Sequence, residues 1–118
     1  MTMTSVSIIH NPRCSKSRQT LALLEEQGCD IQVIDYLKTP LSADEITSIQ
    51  TKLGVSPRQM MRVKEDEYKQ QNLSDESLTD AQLIQAMVDT PKLIERPIVL
   101  ANNKAAIGRP PENVLAIL

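Results

Sequence analysis

Residues 6–37 read VSIIHNPRCSKSRQTLALLEEQGCDIQVIDYL, and a change of period inside this stretch decides the fold. Residues 6–9 form a short apolar run with β-branched members that ends at the breaker pair Asn11-Pro12. The run reads as a buried strand. From Ser15 onward apolar residues return at helical spacing, as Leu21, Ala22 and Leu24, with Glu25, Glu26 and Gln27 turned outward. Gly28 closes that helix, as glycine does just past a C-terminus. Residues 31–37 carry Ile31, Val33, Ile34 and Tyr36 and read as a second strand. Strand, helix and strand in so short a span make the two strands parallel, joined by a right-handed crossover.

Working outward, Thr39-Pro40 breaks the chain, and Ser42 with Glu45 three residues later is a capping-box signature. A helix is expected from there to about Leu53, stopped by Gly54. Ser56-Pro57 opens a further short helix with proline in its first turn. Residues 65–71 are charged and read as an exposed helix. Thr79 caps a helix through Val88 with Leu83, Ile84 and Met87 inward. Residues 97–100 form a third strand, Asn102-Asn103 a turn, and residues 105–107 the returning arm of a hairpin. Pro110-Pro111 starts a last helix with Val114, Leu115 and Leu118 on one face. This order predicts an α/β chain with a thioredoxin-like fold. Its four-stranded mixed sheet is flanked by helices, and a helical insertion at about 42–90 separates the second strand from the third. The 118 residues suit a single domain, 1–118.

Composition narrows the function. Hydrophobic residues make up 41% of the chain and aromatics only 2%, so the core is built from Leu, Ile, Val, Met and Ala. Thirteen basic residues stand against 15 acidic ones, a net charge of −2, which argues against a general nucleic-acid or membrane-surface binder. No apolar run approaches the roughly 20 residues that span a bilayer. The start, residues 1–7, is too short and polar for a secretory signal. A cytoplasmic monomer with no bound cofactor is expected. Two cysteines, Cys14 and Cys29, do not make a disulfide scaffold. With His10 the only histidine, a zinc site is not expected, nor any other metal.

The chemistry concentrates where the first strand meets the first helix, in His10-Asn11-Pro12-Arg13-Cys14-Ser15-Lys16-Ser17-Arg18. Backbone N–H groups at a helix start are unpaired and stabilise negative charge, whether on a thiolate or on a bound oxyanion. A cysteine there has a lowered pKa, and Arg13, Lys16 and Arg18 lower it further. The thiolate is the attacking form of sulfur. His10, four residues before Cys14, is placed to tune it or to hold the loop. The bland alternative is a buried small hydrophobe beside a solvated helix start, and Cys29, after Gly28, reads as structural. Arg96 before the third strand and Arg109 after the fourth fall at the same end of the expected sheet as Cys14. Arg62 sits on the inserted helices. Arginine suits bidentate recognition of tetrahedral oxyanions.

The set His10-Asn11-Pro12-x-Cys14, then Ser17-Arg18-x-Thr20-Leu21, the tract Ile94-Glu95-Arg96-Pro97-Ile98-Val99, and Gly108-Arg109-Pro110 resembles the glutaredoxin-coupled arsenate reductases over nearly the whole chain. It is most similar to the shorter, arsenate-reductase-like branch. The resemblance implies that Cys14 attacks arsenate, that glutathione acts as co-substrate, and that glutaredoxin resolves the mixed disulfide so that arsenite leaves. It assigns His10 to assist the cysteine. It gives Arg62, Arg96 and Arg109 to the oxyanion, with Ser15, Lys16, Ser17 and Arg18 completing the anion loop. Asn11, Pro12 and a cis Pro97 become structural parts of the site. Ser15-Lys16 departs from the Gly-Thr usual after the cysteine in characterised members, and Ser15 lacks the backbone freedom of glycine. Position 17 is Ser, so Cys14 has no C-x-x-C partner and needs an external thiol. That separates the chain from dithiol thioredoxins and from related regulators that bind RNA polymerase. A non-enzymatic regulator or partner-binding module on the same fold is the alternative function. A phosphatase is disfavoured, because Arg18 falls only four residues beyond Cys14 and no aspartate acid-base partner is evident.

Overall fold

The structure, a computed structural model, describes residues 4–118. The first three residues of the polar start noted above lie outside it. The chain forms two compact units, one from residues up to Thr39 together with Arg96–Leu118, the other Pro40–Glu95.

The first unit is built on a four-stranded mixed sheet. Its strands are β1 (Ser5–His10), β2 (Asp30–Asp35), β3 (Ile98–Ala101) and β4 (Lys104–Ile107), in spatial order β2-β1-β3-β4. β1 and β2 run parallel with His10 opposite Asp35, and β3 pairs antiparallel with both β1 and β4. The crossover is α1 (Ser15–Glu26). β1 is central, and Ile8 and Ile9 are fully buried. Burying one such side chain contributes about 1.5–3 kcal/mol. Val6, Ile8, Leu24, Val99, Ala101, Val114 and Ile117 form the core on the α1 side. Leu24 is the inward member of the expected helical set, Leu21 is half-buried and Ala22 is exposed. Thr20 and Ser17, one and two turns before it, are buried as well.

β3 and β4 make a tight hairpin. Ala101 pairs with Lys104, and Asn102 and Asn103 turn the chain with φ of 53° and 62°. Positive φ at both central residues is the type I′ turn, whose twist matches that of the flanking strands. The last segment departs from expectation. Pro111–Ile117 is a 3-10 helix, not an α-helix. Its period of three buries Pro111, Val114 and Ile117 and leaves Leu115 40% exposed, where an α-helical reading put Val114, Leu115 and Leu118 on one face.

The second unit holds α2 (Ala43–Leu53), a 3-10 turn (Pro57–Met60), α3 (Asp66–Gln70) and α4 (Asp80–Asp89). α2 has the expected capping box, Ser42 with Glu45, and ends at left-handed Gly54. α4 has the same device, Thr79 with Gln82. Ile46 and Ile49 of α2 are buried, as are Leu83, Ile84 and Met87 of α4, and these two helices pack on each other. The 65–71 segment is not a wholly exposed helix. α3 is five residues long and Tyr68 is 6% exposed. Arg58 explains the burial: its Nη1 donates to Tyr68 Oη at 2.6 Å and to the Leu73 carbonyl, and its Nη2 donates to the Asp75 carbonyl at 3.1 Å.

Candidate active site

The loop after β1 is stitched by its own side chains. The Asn11 carbonyl accepts the Cys14 N–H at 3.0 Å, and the Asn11 Oδ1 accepts the Arg13 N–H at 3.0 Å. Pro12 sits in this turn, and Arg18 reaches back from α1 to donate to the Pro12 carbonyl at 2.9 Å. Ser17, fully buried, lies 2.6 Å by its Oγ from His10 Nδ1 and accepts the Asn11 N–H at 3.1 Å. The strand end is thus tied to the first turn of α1. Burial holds the pKa of His10 below its ordinary value, with Asp35 opposing and Arg18 adding to that effect. A neutral imidazole accepting the Ser17 hydroxyl proton at Nδ1 fits this pair.

Cys14 is the N-cap residue of α1 and is 9% exposed. Its sulfur faces the Lys16 and Ser17 N–H groups of the first turn at longer range than a capping bond. Burial pushes the thiol pKa up. The Ser17 N–H, the charge and hydrogen bond of Arg96, and the Lys16 N–H outweigh that and bring it below the ordinary thiol value. Arg109 Nη2 lies 3.5 Å from Cys14 Sγ. The same guanidinium donates through Nε to the Arg96 carbonyl at 2.7 Å, so one arginine's side chain is oriented by the other's backbone. Arg96-Pro97 is cis, as the resemblance implies, and Arg109-Pro110 is cis as well.

Gly108 makes this convergence possible. It is buried, and its N–H donates to the Pro97 carbonyl at 2.9 Å. A Cβ at this position would meet Thr20 Oγ1 at 2.6 Å and Pro97 Cγ at 2.8 Å. The Thr20 hydroxyl donates to the Lys16 carbonyl at 2.8 Å, so the helix carrying the anion loop touches the chain just before Arg109.

The structure therefore brings Cys14, the N–H groups of Lys16 and Ser17, Arg96 and Arg109 together in the first unit. His10, Asn11 and Pro12 build the loop. Ser15 and Lys16 are exposed in the first turn of α1, and the hydroxyl of Ser17 is engaged within the loop. Arg62 belongs to the second unit, where its guanidinium pairs with Glu65 and approaches Glu95 at 3.9 Å. Sequence reasoning did not find Gly108 as a close-packing position, Thr20 as its neighbour, or Asp35 facing His10. Only the β1–β2 register carries the last of these. Among the described residues no group of three or more His, Cys, Asp or Glu side chains could hold a metal ion. No helix among them is long and apolar enough to cross a membrane.

With that geometry in place, the likeness to known proteins is extensive. The ArsC family model matches residues 9–117. An arsenate reductase of Neisseria meningitidis is 53% identical over 117 residues, spanning 98% of this chain and all of that one. An arsenate reductase of Escherichia coli is 40% identical over 116 residues, 98% of this chain and 82% of the relative. The solved arsenate reductase from Vibrio cholerae superposes with a TM-score of 0.97 at 55% identity, covering 99% of this chain and all of that one.

Proposed function

This chain belongs to the ArsC family of arsenate reductases, and we propose that it reduces arsenate at Cys14 with glutathione as co-substrate and glutaredoxin as the resolving partner. The observation that carries the reading is the convergence of two arginines and two helix-start amides on the Cys14 sulfur, whose pKa is held down. Arg96 and Arg109 hold the tetrahedral oxyanion by charge-assisted hydrogen bonds. The Cys14 thiolate attacks arsenic, and one arsenate oxygen leaves as water. Glutathione thiolate then takes the Cys14 sulfur, and the As–S electron pair stays on arsenic. Arsenite leaves, and a Cys14–glutathione disulfide remains for glutaredoxin to reduce. In sum, two thiols become a disulfide as As(V) becomes As(III), with one water formed. Ser17 at the position of a second cysteine makes the external thiol necessary. Lys16 adds a positive charge at the mouth of the anion loop.

The test is arsenate-dependent NADPH oxidation in the presence of glutathione, glutathione reductase and glutaredoxin. Wild type turns over and Cys14→Ser does not. Persisting turnover in Cys14→Ser, or none in folded wild type, rejects the assignment.

A further inference from the structure

Beside the anion loop, on the side of β2, lies a cavity of about 380 Å³ lined by Asn11, Pro12, Arg13, Asp35, Leu37 and Lys38. We propose that this cavity binds the reducing co-substrate as an intact tripeptide thiol of the glutathione type, distinct from the place where the oxyanion sits.

The location follows from topology. β1 and β2 are parallel and in register to His10 opposite Asp35, so their carboxyl ends open side by side. Ligands of open α/β sheets bind outside such strand ends. Arg13 lines the cavity and is the residue immediately before Cys14. The cavity therefore adjoins the loop that carries Cys14, the residue the thiol must attack.

Charge selects the ligand class. The lining offers two cations, Arg13 and Lys38, and one anion, Asp35. Glutathione carries two carboxylates and one ammonium, the complementary set, and the apolar Pro12 and Leu37 suit its methylene stem. Leu37 is 42% exposed and presents apolar surface to the cavity. Neither cation is engaged in an ion pair among the described residues. The rim is preformed, because the Asp35 carbonyl accepts the N–H groups of Lys38 at 3.1 Å and Thr39 at 2.9 Å, which curls Lys38 back toward Asp35. Inorganic oxyanions fit poorly. Asp35 repels them, and the volume falls in the range of about 300–1,000 Å³ that houses organic ligands.

This assignment rests on the reading that an external thiol resolves Cys14, but its test does not need turnover. Cys14→Ser protein, labelled with nitrogen-15, is titrated with S-methylglutathione, which cannot react. Amide shifts are expected at Arg13, Asp35, Leu37 and Lys38. Lys38→Glu should weaken binding roughly three- to tenfold. Acetylating the ligand's amine should weaken binding to a protein with Asp35 and change nothing in Asp35→Asn. Lys38 is exposed in a turn, so a dispersed spectrum of Lys38→Glu verifies its fold. Shifts confined to the segment around Arg96 and Gly108, or affinity indifferent to both substitutions, overturn the site. Binding as described without glutathione-dependent turnover in wild type would instead overturn the coupling and leave the site standing.

Discussion

Gly108→Ala is the sharpest test of how the arginines are held at the cysteine. The added Cβ would lie 2.6 Å from Thr20 Oγ1, 2.8 Å from Pro97 Cγ and 3.2 Å from Thr20 Cγ2, and real Cβ atoms essentially never come within 3.0 Å. Something must shift by several tenths of an ångström. Neither neighbour is a loose side-chain end. Thr20 is fully buried with its hydroxyl bonded to Lys16, and Pro97 is a buried ring. Overpacking costs about 1–3 kcal/mol, and two stiff neighbours place this case near the top, at about 2–3 kcal/mol. For a chain of this size that lowers Tm by roughly 10 °C. The displaced segment carries Arg109, so the 3.5 Å approach to Cys14 lengthens. Under the proposed chemistry the arsenate KM should rise more than kcat falls, since that proposal gives Arg109 to binding. Calorimetry and steady-state kinetics measure both. Thr20→Ala in the same background removes two of the three close contacts and should return about 1 kcal/mol beyond additivity. A Gly108→Ala protein with unchanged Tm and KM refutes the packing argument, and additive behaviour with Thr20→Ala refutes the assignment of the clash.

Two further outcomes are expected. Alkylation of Cys14 by iodoacetamide should titrate below the ordinary thiol pKa, and Arg96→Gln should move the midpoint up, because it removes a charge and a hydrogen bond from the thiolate. The unfolded chain holds the Cys14 proton up to its ordinary thiol pKa. Between the folded and unfolded values stability therefore rises with pH, and that contribution is lost as pH falls through the folded value. A urea midpoint flat across this window, or one unchanged in slope by Arg96→Gln, would contradict the shift. In the second unit, Arg58→Met strips donors from Tyr68 Oη and from the Leu73 and Asp75 carbonyls. A loss of about 2–4 kcal/mol in urea unfolding is expected, and a loss below half a kilocalorie would show the clamp to be ornamental.

Much of this architecture is legible in the chain because its signals are local. The run at Ile8 and Ile9, the breaker at Asn11-Pro12, the capping pair Ser42–Glu45 and the cap at Thr79 each act within a few residues, and each stands where the sequence places it. The last segment is ambiguous in sequence because Val114, Leu115 and Leu118 satisfy an α-helical spacing while Pro111, Val114 and Ile117 satisfy a period of three, and only packing on the sheet chooses between them. Polar residues inside the core were the other difficulty. Ser17 and Thr20 are polar by type and nonetheless fully buried. They are buried because His10 and the Lys16 carbonyl supply partners that no spacing announces. The burial of Tyr68 likewise depends on Arg58, ten residues away. Cys14, Arg96 and Arg109 converge as residue type and position at strand ends suggest. How one arginine steers the other needed coordinates.

The Asn102-Asn103 turn lies at the opposite end of the β3–β4 hairpin from the chemistry, yet it sets the gauge of the site. Arg96 and Arg109 flank the two open ends of that hairpin, outside the paired residues Ile98 and Ile107. Any slip in pairing by two residues would slide one arginine past the other by about 7 Å, more than an oxyanion can bridge. A two-residue turn with both asparagines left-handed admits a single register, so a lengthened turn would detune the proposed anion recognition from the far edge of the sheet without touching either arginine.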